Sequence, residues 1–175
     1  MVSLKRNIFL TGFSGTGKTA VGTLVAQMLG WKFIDTDSYI TDLKGKSIQR
    51  IFSEDGENEF RNIERSTLEK ICFEENQVVA TGGGAFIDSL NQELLLSRGL
   101  VIGLDARPET IIGRLDAQKD RGDVEIRPLL EENNKLKRIT ELKQNRQKSY
   151  DVSHCVIATD LLTVDQVAAA VINNW

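Results

Sequence analysis

The sequence predicts a three-layer α/β/α domain in which helices cover both faces of a five-stranded parallel sheet. The chain has 175 residues, close to the usual length of one domain. Five short apolar runs alternate along it with longer stretches whose apolar residues recur at helical spacing. No fixed-period repeat or low-complexity tract interrupts this alternation, which is typical of successive βα units. We therefore interpret residues 1–175 as a single domain.

The five apolar runs are the candidate strands. Each run is bounded by glycine, aspartate or a polar stretch. We expect all five to be buried on both faces, as the strands of a helix-covered parallel sheet are. They span residues 7–10, 32–35, 77–80, 100–104 and 154–158.

Helical patterns fill the intervals between these runs. The strongest cover residues 18–29 and 57–73. Pro108 is typical of the first turn of a helix, which we place at residues 108–115. Thr163 and Gln166 form a capping-box pattern, which predicts a last helix that runs to residue 173.

An arginine joins the apolar stripe of a further helical stretch. Leu136, Ile139 and Leu142 set this stripe, and Arg146 follows on the same face, four residues after Leu142. A guanidinium that is turned toward the interior needs an anionic partner. Arg146 is therefore a candidate for binding an anionic group.

Charge and hydropathy exclude several classes of protein. Lysine and arginine number 22 against 25 acidic residues, a net charge of −3, so we expect no nucleic-acid binding. The longest strictly apolar run, residues 167–172, is far shorter than the roughly 18 residues of a membrane span. The apolar segment of a secretory signal is also missing. We expect a cytoplasmic protein that binds no membrane.

Five residues of types that often carry chemistry are expected to be structural here. The two cysteines are too far apart in a cytoplasmic chain to suggest a disulfide, and we expect both to be small buried hydrophobic residues. The set is Cys72, Cys155, His154, Trp31 and Trp175.

Residues 12–19, Gly-Phe-Ser-Gly-Thr-Gly-Lys-Thr, match the phosphate-loop pattern G-x-x-x-x-G-K-[ST]. They follow the first predicted strand and open the first predicted helix, which is the context that the pattern requires. Backbone N–H groups would converge on phosphate oxygens, Lys18 would reach the β and γ phosphates, and Thr19 would ligate Mg²⁺. The sequence thus predicts binding of a nucleoside triphosphate and phosphoryl transfer. The nucleotide-binding candidates are Gly12, Gly15, Thr16, Gly17, Lys18 and Thr19.

The base is expected to be adenine. The guanine-reading pattern Asn-Lys-x-Asp is absent, and its nearest match, residues 134–137, ends in lysine within a helical pattern. Because this segment lacks the carboxylate that would pair with guanine, we expect the nucleotide to be ATP.

Two carboxylates end the second predicted strand. Asp35 and Asp37 flank Thr36, and residues two apart in extended backbone point to the same side. At the carboxyl edge of the sheet, one carboxylate can support a metal shell while the other accepts a hydrogen bond from a substrate hydroxyl. The alternative is that Asp37 caps a helix and Asp35 is solvated.

An arginine and a run of glycines complete the candidates for an acceptor site. Glu64 follows Arg61 by three residues, close enough to hold its guanidinium, although such a pair on its own is more often a surface ion pair. Gly82, Gly83 and Gly84 follow the third strand. Without side chains they let backbone N–H groups approach a ligand, unless they form only a flexible turn.

Six motifs in this order resemble the shikimate kinases over nearly the full chain. They are residues 12–19, Asp35-x-Asp37, Phe60-Arg61-x-x-Glu64, Ala80-Thr81-Gly82-Gly83-Gly84, Arg127-Pro128-Leu129-Leu130, and Asn145-Arg146 with Tyr150. Most are weak singly, but six in order within one domain are highly specific. The resemblance implies a P-loop fold similar to nucleoside monophosphate kinases. It also implies ATP- and Mg²⁺-dependent phosphorylation of the 3-hydroxyl of shikimate, on the route to chorismate and the aromatic amino acids.

The resemblance also implies roles for individual residues. Arg61 and Arg146 would hold the shikimate carboxylate, while Asp37 would bind ring hydroxyls and act as the general base. Gly83, within its glycine run, would supply backbone contact. Mg²⁺ would be held by Thr19 and, through its water shell, by Asp35.

The same resemblance implies a mobile lid at about residues 117–129. The stretch 117–127 is mostly charged, which is typical of a solvated excursion. Arg127 at its end would swing over the phosphates and, with Lys18, stabilise the charge of the transferred phosphoryl group. We expect the enzyme to be a monomer.

The residue that stacks on adenine stays open. Arg121 lies near the position that the resemblance implies, with Arg114 and Lys119 as competitors. Residues 159–162 occupy the adenine-loop position without the usual basic or amide side chain, so base contacts there would use the backbone. Tyr150 is expected to pack below Arg146.

Two other functions are compatible with parts of this pattern. Gluconate also carries a carboxylate and hydroxyls, so a gluconate kinase is the alternative within the same class. A nucleotide-binding regulatory protein descended from such a kinase is the alternative from another class. Loss of Asp37, Arg61 or Arg127 would have indicated the second alternative, and all three are present.

Overall fold

A computed structural model describes residues 7–120 and 134–175. Its centre is a five-stranded sheet in the order β2-β3-β1-β4-β5, and every neighbouring pair is parallel. The strands are β1 (Asn7–Thr11), β2 (Lys32–Asp35), β3 (Gln77–Ala80), β4 (Leu100–Asp105) and β5 (Cys155–Ala158). The five predicted strands are confirmed to within one residue at each end.

Helices connect the strands on both faces of the sheet. In chain order they are α1 (Lys18–Leu29), α2 (Thr36–Lys44), α3 (Ile48–Glu54), α4 (Glu57–Ile71), α5 (Ser89–Arg98), α6 (Pro108–Asp120), α7 (Lys135–Tyr150) and α8 (Val164–Asn173). The capping box of Thr163 and Gln166 is confirmed at the start of α8. The helix predicted at 108–115 runs on to Asp120, so the first residues of the predicted lid form the last turn of α6. The rest of that lid, with Arg121 and Arg127, lies outside the described residues.

Three short helices, α2, α3 and α5, have no counterpart in the prediction. Each begins at a side-chain cap, where Asp35, Ser47 or Asp88 accepts hydrogen bonds from backbone N–H groups of the first turn. Because these helices are short, their apolar periodicity is weak, and the cap residues were the signal available in the sequence.

The strands separate two apolar cores. Along β1, Ile8 and Leu10 pack with Val21 of α1 and Val171 of α8 on one face. Phe9 points to the other face, where the core is completed from α4, α5, α6 and α7. The alternation of side chains along a buried strand thus produces the three layers that were predicted.

The expectation that all five strands are buried on both faces is wrong for the two edges. Strands β1 and β3 are buried throughout, whereas β2 and β5 alternate between covered and more exposed positions. In β5, Val156 is 44% exposed. An edge strand has a neighbour on one side only, and the helices reach over it incompletely.

Other structural expectations have mixed outcomes. Ile139 is buried and Leu142 packs against the core, but Leu136, near the start of α7, is 43% exposed, so the apolar stripe is shorter than predicted.

Cys72 is buried, as expected, and burial raises the pKa of its thiol to about 11, while Cys155 is only half-buried. Trp31 and Trp175 pack edge to face with ring centroids 5.0 Å apart.

Within residues 7–120 and 134–175, no helix has the length and apolar character that crossing a membrane requires.

Candidate active site

The loop of residues 12–19 joins β1 to the first turn of α1. Gly12 has φ +132°, and a Cβ at this position would lie 2.1 Å from the carbonyl oxygen of Leu104 in β4. Only glycine allows the loop to cross β4 this closely. Gly17, with φ +100°, turns the chain into the helix. The motif therefore adopts the strand–loop–helix geometry that a phosphate cradle needs.

Lys18 lies under this loop. It is only 8% exposed, and its Nζ donates hydrogen bonds to the carbonyl oxygens of Gly12 and Phe13, each at 2.9 Å. The hydroxyl of Thr16 donates to the same carbonyl of Phe13 at 2.9 Å. These bonds keep the lysine ammonium beside the concave side of the loop, where phosphate oxygens would be bound.

Asp35 and Thr19 meet across the loop. The Thr19 hydroxyl donates to Asp35 Oδ2 at 2.8 Å, while Asp35 Oδ1 accepts from the N–H groups of Asp37 and Ser38 at 3.1 and 3.2 Å. Asp35 is therefore the N-cap of α2, and the alternative in which Asp37 takes that role is wrong. Because α2 begins at Thr36, Asp37 is helical, and the argument from extended backbone was also wrong.

Both carboxylates nevertheless line one cavity. Its volume is about 510 Å³, including the part that is open to solvent, and it runs from the phosphate loop to the glycine run. Its walls are Ser14, Gly15, Gly17, Lys18, Thr19, Ala20, Asp35, Asp37, Thr81, Gly83 and Gln118. Ser14, Ala20, Thr81 and Gln118 were not among the candidates. The available signals were the adjacency of Ser14, Ala20 and Thr81 to motif residues and the position of Gln118 at the start of the implied lid.

Arg61 projects from α4 between two glutamates. Its Nη1 donates to Glu64 Oε2 at 2.8 Å and its Nη2 to Glu57 Oε1 at 3.2 Å. The Glu64 side chain is 1% exposed, so the alternative of a surface ion pair is wrong. Burial raises the pKa of the Glu64 carboxyl, and the charge of Arg61 opposes that shift. The expectation that Glu64 holds the guanidinium is confirmed.

The glycine run passes between the phosphate loop and these charged side chains. A Cβ on Gly82 would lie 2.6 Å from Asp37 Oδ1, and a Cβ on Gly84 would lie 2.8 Å from Arg61 Nη1. A Cβ on Gly83 would meet the backbone nitrogen of Ser14 at 3.2 Å. Each glycine of the run thus lies close to a neighbouring group, which favours a fixed loop over the alternative of a plain flexible turn.

Arg146 reaches the same region from α7. Its Cζ lies 5.7 Å from the centroid of the Phe13 ring, and its Nη1 lies 3.5 Å from the carbonyl oxygen of Gly83. Tyr150, one turn further along α7, donates its hydroxyl to that same carbonyl at 2.6 Å. Burial raises the pKa of Tyr150 to about 12, so the phenol is protonated at neutral pH. Arg146 thus approaches the glycine run at Gly83, and Arg61 approaches it at Gly84.

Arg114 connects the phosphate loop to the segment that follows β5. Its Nη1 donates to the Thr16 carbonyl at 3.3 Å and to the Thr159 hydroxyl at 2.9 Å, and its Nη2 donates to the Thr159 carbonyl at 2.8 Å. Asp160 accepts from the N–H of Arg107 and the hydroxyl of Thr110, at 2.9 and 2.7 Å, which ties this segment to α6. Nothing in the spacing of the sequence indicated that these two segments meet.

The parallel sheet, the phosphate loop and the adjoining charged cavity define a P-loop protein with the fold of nucleoside monophosphate kinases. A family model described as shikimate kinase matches residues 14–175. With this match and the relatives below, the chain belongs to the shikimate kinase family.

Curated and solved relatives agree with this assignment. A shikimate kinase from Caldanaerobacter subterraneus subsp. tengcongensis is 40% identical over 170 residues, which is 97% of this chain and 96% of that protein. One from Persephonella marina is 43% identical over 89% of this chain and 90% of that protein. A solved structure of shikimate kinase from Acinetobacter baumannii in complex with shikimate has a TM-score of 0.88 at 34% identity, covering 97% of this chain and 92% of that one. A gluconokinase from Sinorhizobium meliloti, with a TM-score of 0.62 at 13% identity, shares the fold alone.

Proposed function

We propose that this protein transfers the γ-phosphoryl group of ATP to the 3-hydroxyl of shikimate, which yields shikimate 3-phosphate and ADP. The reaction belongs to the route to chorismate and the aromatic amino acids. The observation that carries the proposal is one cavity that the phosphate loop, Asp37 and Gly83 line. Arg61 and Arg146 lie against the glycine run beside it, and the chain belongs to the shikimate kinase family.

The nucleotide binds with its phosphates in the loop of residues 12–19. Lys18 exchanges its carbonyl partners for β and γ phosphate oxygens, a short movement because the ammonium already lies under the loop. Of the three candidates for adenine stacking, we propose Arg114. Three of its contacts hold the guanidinium plane rigid between the phosphate loop and Thr159, so one face of it can stack on the base.

The residues beside the phosphate loop fit a Mg²⁺ ion. The Thr19 hydroxyl and an Asp35 carboxylate oxygen lie 2.8 Å apart at the cavity wall, and oxygen ligands of this kind are those Mg²⁺ prefers. The capping bonds to Oδ1 orient the Asp35 carboxylate, so Oδ2 faces the loop. When bound, Mg²⁺ supplies charge neutralisation to the β and γ phosphates.

Shikimate binds between the glycine run and the two arginines. Its carboxylate pairs with Arg61 and Arg146, whose guanidinium groups provide forked donors for a planar anion. Asp37 accepts hydrogen bonds from ring hydroxyls, and Gly83 contributes backbone contact. Because Glu64 and Glu57 already hold Arg61, little freedom of that side chain is lost on binding.

In the transfer step, the 3-hydroxyl oxygen forms a bond to the γ-phosphorus while the bond from that phosphorus to the β–γ bridging oxygen breaks. Asp37 receives the hydroxyl proton, and ADP leaves with the bridging oxygen. Lys18, with Arg127 of the lid, stabilises the charge that spreads over the phosphoryl oxygens. Much of the contribution of Asp37 is to position the hydroxyl.

We propose that the active form is a monomer. We place the reaction in the cytoplasm, where ATP is supplied.

The test is an ADP-release assay with ATP and Mg²⁺ and one of four acceptor conditions: shikimate, gluconate, a nucleoside monophosphate, or none. Turnover with shikimate alone is expected. Turnover with gluconate instead would move the assignment to the gluconate alternative. A folded protein that binds ATP and releases no ADP under any condition would support the regulatory alternative.

The matched control is Lys18→Ala, purified in parallel. Loss of the ammonium should lower turnover by roughly two to three orders of magnitude while the protein remains folded. Near-normal turnover would show either that Lys18 has no phosphate role or that a contaminating kinase produces the signal. Mass spectrometry of the purified variant separates these two cases.

A further inference from the structure

Two hydroxyl groups hold the backbone of the glycine run in place. The N–H of Gly82 donates to the hydroxyl of Thr36 at 2.8 Å, and the hydroxyl of Tyr150 donates to the carbonyl of Gly83 at 2.6 Å. Thr36 is 0% exposed and Tyr150 is 4% exposed. One hydroxyl thus comes from the first residue of α2, between the two aspartates, and the other from the helix that carries Arg146.

The remaining carbonyls of the run are also bound within the protein. The carbonyl of Gly82 accepts from the N–H of Ala85 at 3.1 Å, and that of Gly84 accepts from the N–H of Ile87 at 3.2 Å. Among the residues that the structure describes, no group accepts from the N–H of Gly83 or of Gly84. These two donors are therefore the part of the run that can face an acceptor molecule.

The position of these donors matters because the run fits tightly against charged groups. Gly82 lies against Asp37, and Gly84 lies against Arg61. A shift of the run by a few tenths of an ångström would change the spacing of backbone donors, carboxylate and guanidinium together. The run has no side chains that could anchor it, so its hydrogen bonds must set its position.

We propose that Thr36 and Tyr150 are positioning residues for the phosphoryl acceptor, which act through the backbone of Gly82 and Gly83 without contacting the substrate. This inference rests on the proposed function, because it names the devices that set the geometry of that same site. It gives a role to Thr36, the residue that the Asp-x-Asp pattern leaves unspecified, and to Tyr150, which lies one helical turn after Arg146.

The main experiment compares Thr36→Val and Thr36→Ser. Valine has the shape of threonine but cannot accept the hydrogen bond, whereas serine keeps the hydroxyl. Thr36→Val should raise the KM for shikimate on the order of tenfold, because the buried N–H of Gly82 loses its partner and the run relaxes. The KM for ATP should be unchanged, and Thr36→Ser should be within about twofold of wild type in both constants.

Thr67→Val is the matched control. Thr67 is also 0% exposed, lies on α4, and its hydroxyl has no partner among the described residues. The same chemical change made there should leave both KM values as in wild type. Tyr150→Phe is a second variant: it keeps the ring, removes the hydroxyl from Gly83 and from Arg146, which that hydroxyl also contacts, and should raise the KM for shikimate without changing that for ATP. It keeps the inference testable if Thr36→Val does not fold.

A folded Thr36→Val enzyme with the wild-type KM for shikimate would overturn the role of Thr36. A Thr36→Ser enzyme whose KM for shikimate is raised as much as that of Thr36→Val would also overturn it. A change in melting temperature alone, with wild-type kinetics, would mean a purely structural role and would also overturn it. These outcomes differ from failure of the proposed function, which would show as absent shikimate turnover in the wild-type enzyme before any variant is made.

Discussion

Alanine at position 84 should disturb the acceptor site without straining the backbone. Gly84 has φ −106° and ψ −12°, which alanine adopts readily. The new Cβ would lie 2.8 Å from both terminal nitrogens of Arg61 and 3.1 Å from its Cζ. The guanidinium must withdraw until these contacts reach about 3.4 Å, a movement of about 0.6 Å.

This displacement sets the expected magnitude. Misplacing a binding group by about 1 Å can cost on the order of a hundredfold in an enzyme, so a movement of about 0.6 Å should raise the KM for shikimate roughly tenfold. Arg61→Ala, which removes the guanidinium, should have a larger effect on the same constant. The KM for ATP should not change in either variant, because the described contacts of Arg61 are with Glu57, Phe60, Glu64 and Gly84 and none is with the phosphate loop.

The assay is steady-state kinetics with each substrate varied in turn, together with thermal unfolding. Gly113→Ala is the matched control, since a Cβ there meets nothing within 4 Å. Gly113 lies within α6, where alanine should stabilise the fold by about 1 kcal/mol and leave the kinetics unchanged. A Gly84→Ala enzyme with the wild-type KM for shikimate, or with both KM values raised equally, would refute the reasoning.

Two further predictions concern the lid and the buried glutamate. Arg127→Ala should lower kcat by more than it raises either KM if, as proposed, the arginine stabilises charge that develops during transfer. Single-turnover and steady-state kinetics measure this, and a loss of shikimate affinity alone would place Arg127 in the acceptor site instead. Burial raises the pKa of Glu64 above its ordinary value of 4.5, so its contribution to stability is full below that value and is lost as the pH rises through the folded-state pKa. Glu64→Gln should therefore show a flatter dependence of unfolding free energy on pH than wild type as the pH rises above 4.5, measured by urea denaturation. Parallel curves for the two proteins would contradict this role of Glu64.

Prediction from the sequence succeeded where the signal is local. The phosphate loop contains its own glycines, lysine and threonine, and the strand and helix that flank it are adjacent in the chain. The pair of Arg61 and Glu64 is one helical turn apart, so its geometry follows from the helix. The inward direction of Arg146 followed from the spacing of Ile139 and Leu142.

The prediction for Asp35 and Asp37 was wrong because a helix N-cap takes the place of the extended backbone that was expected there. Asp35 was expected to project from the strand together with Asp37, but its carboxylate binds the N–H groups of the next turn and starts α2 one residue later. Both side chains still line the cavity, because the first turn of that helix lies at the carboxyl edge of the sheet. The correct placement thus came with an incorrect reason.

The five strands, the longer helices and the phosphate loop could be derived from residues close together in the chain, because periodicity and turn chemistry act over a few residues. The acceptor motifs were joined into one site by their resemblance to the shikimate kinases. The positions that bring distant segments together required the folded molecule. Thr36 binds Gly82 across 46 positions, Tyr150 binds Gly83 across 67, and Arg114 binds Thr159 across 45. Such partners are chosen by how the layers pack on the sheet, and no local pattern in the sequence encodes that distance.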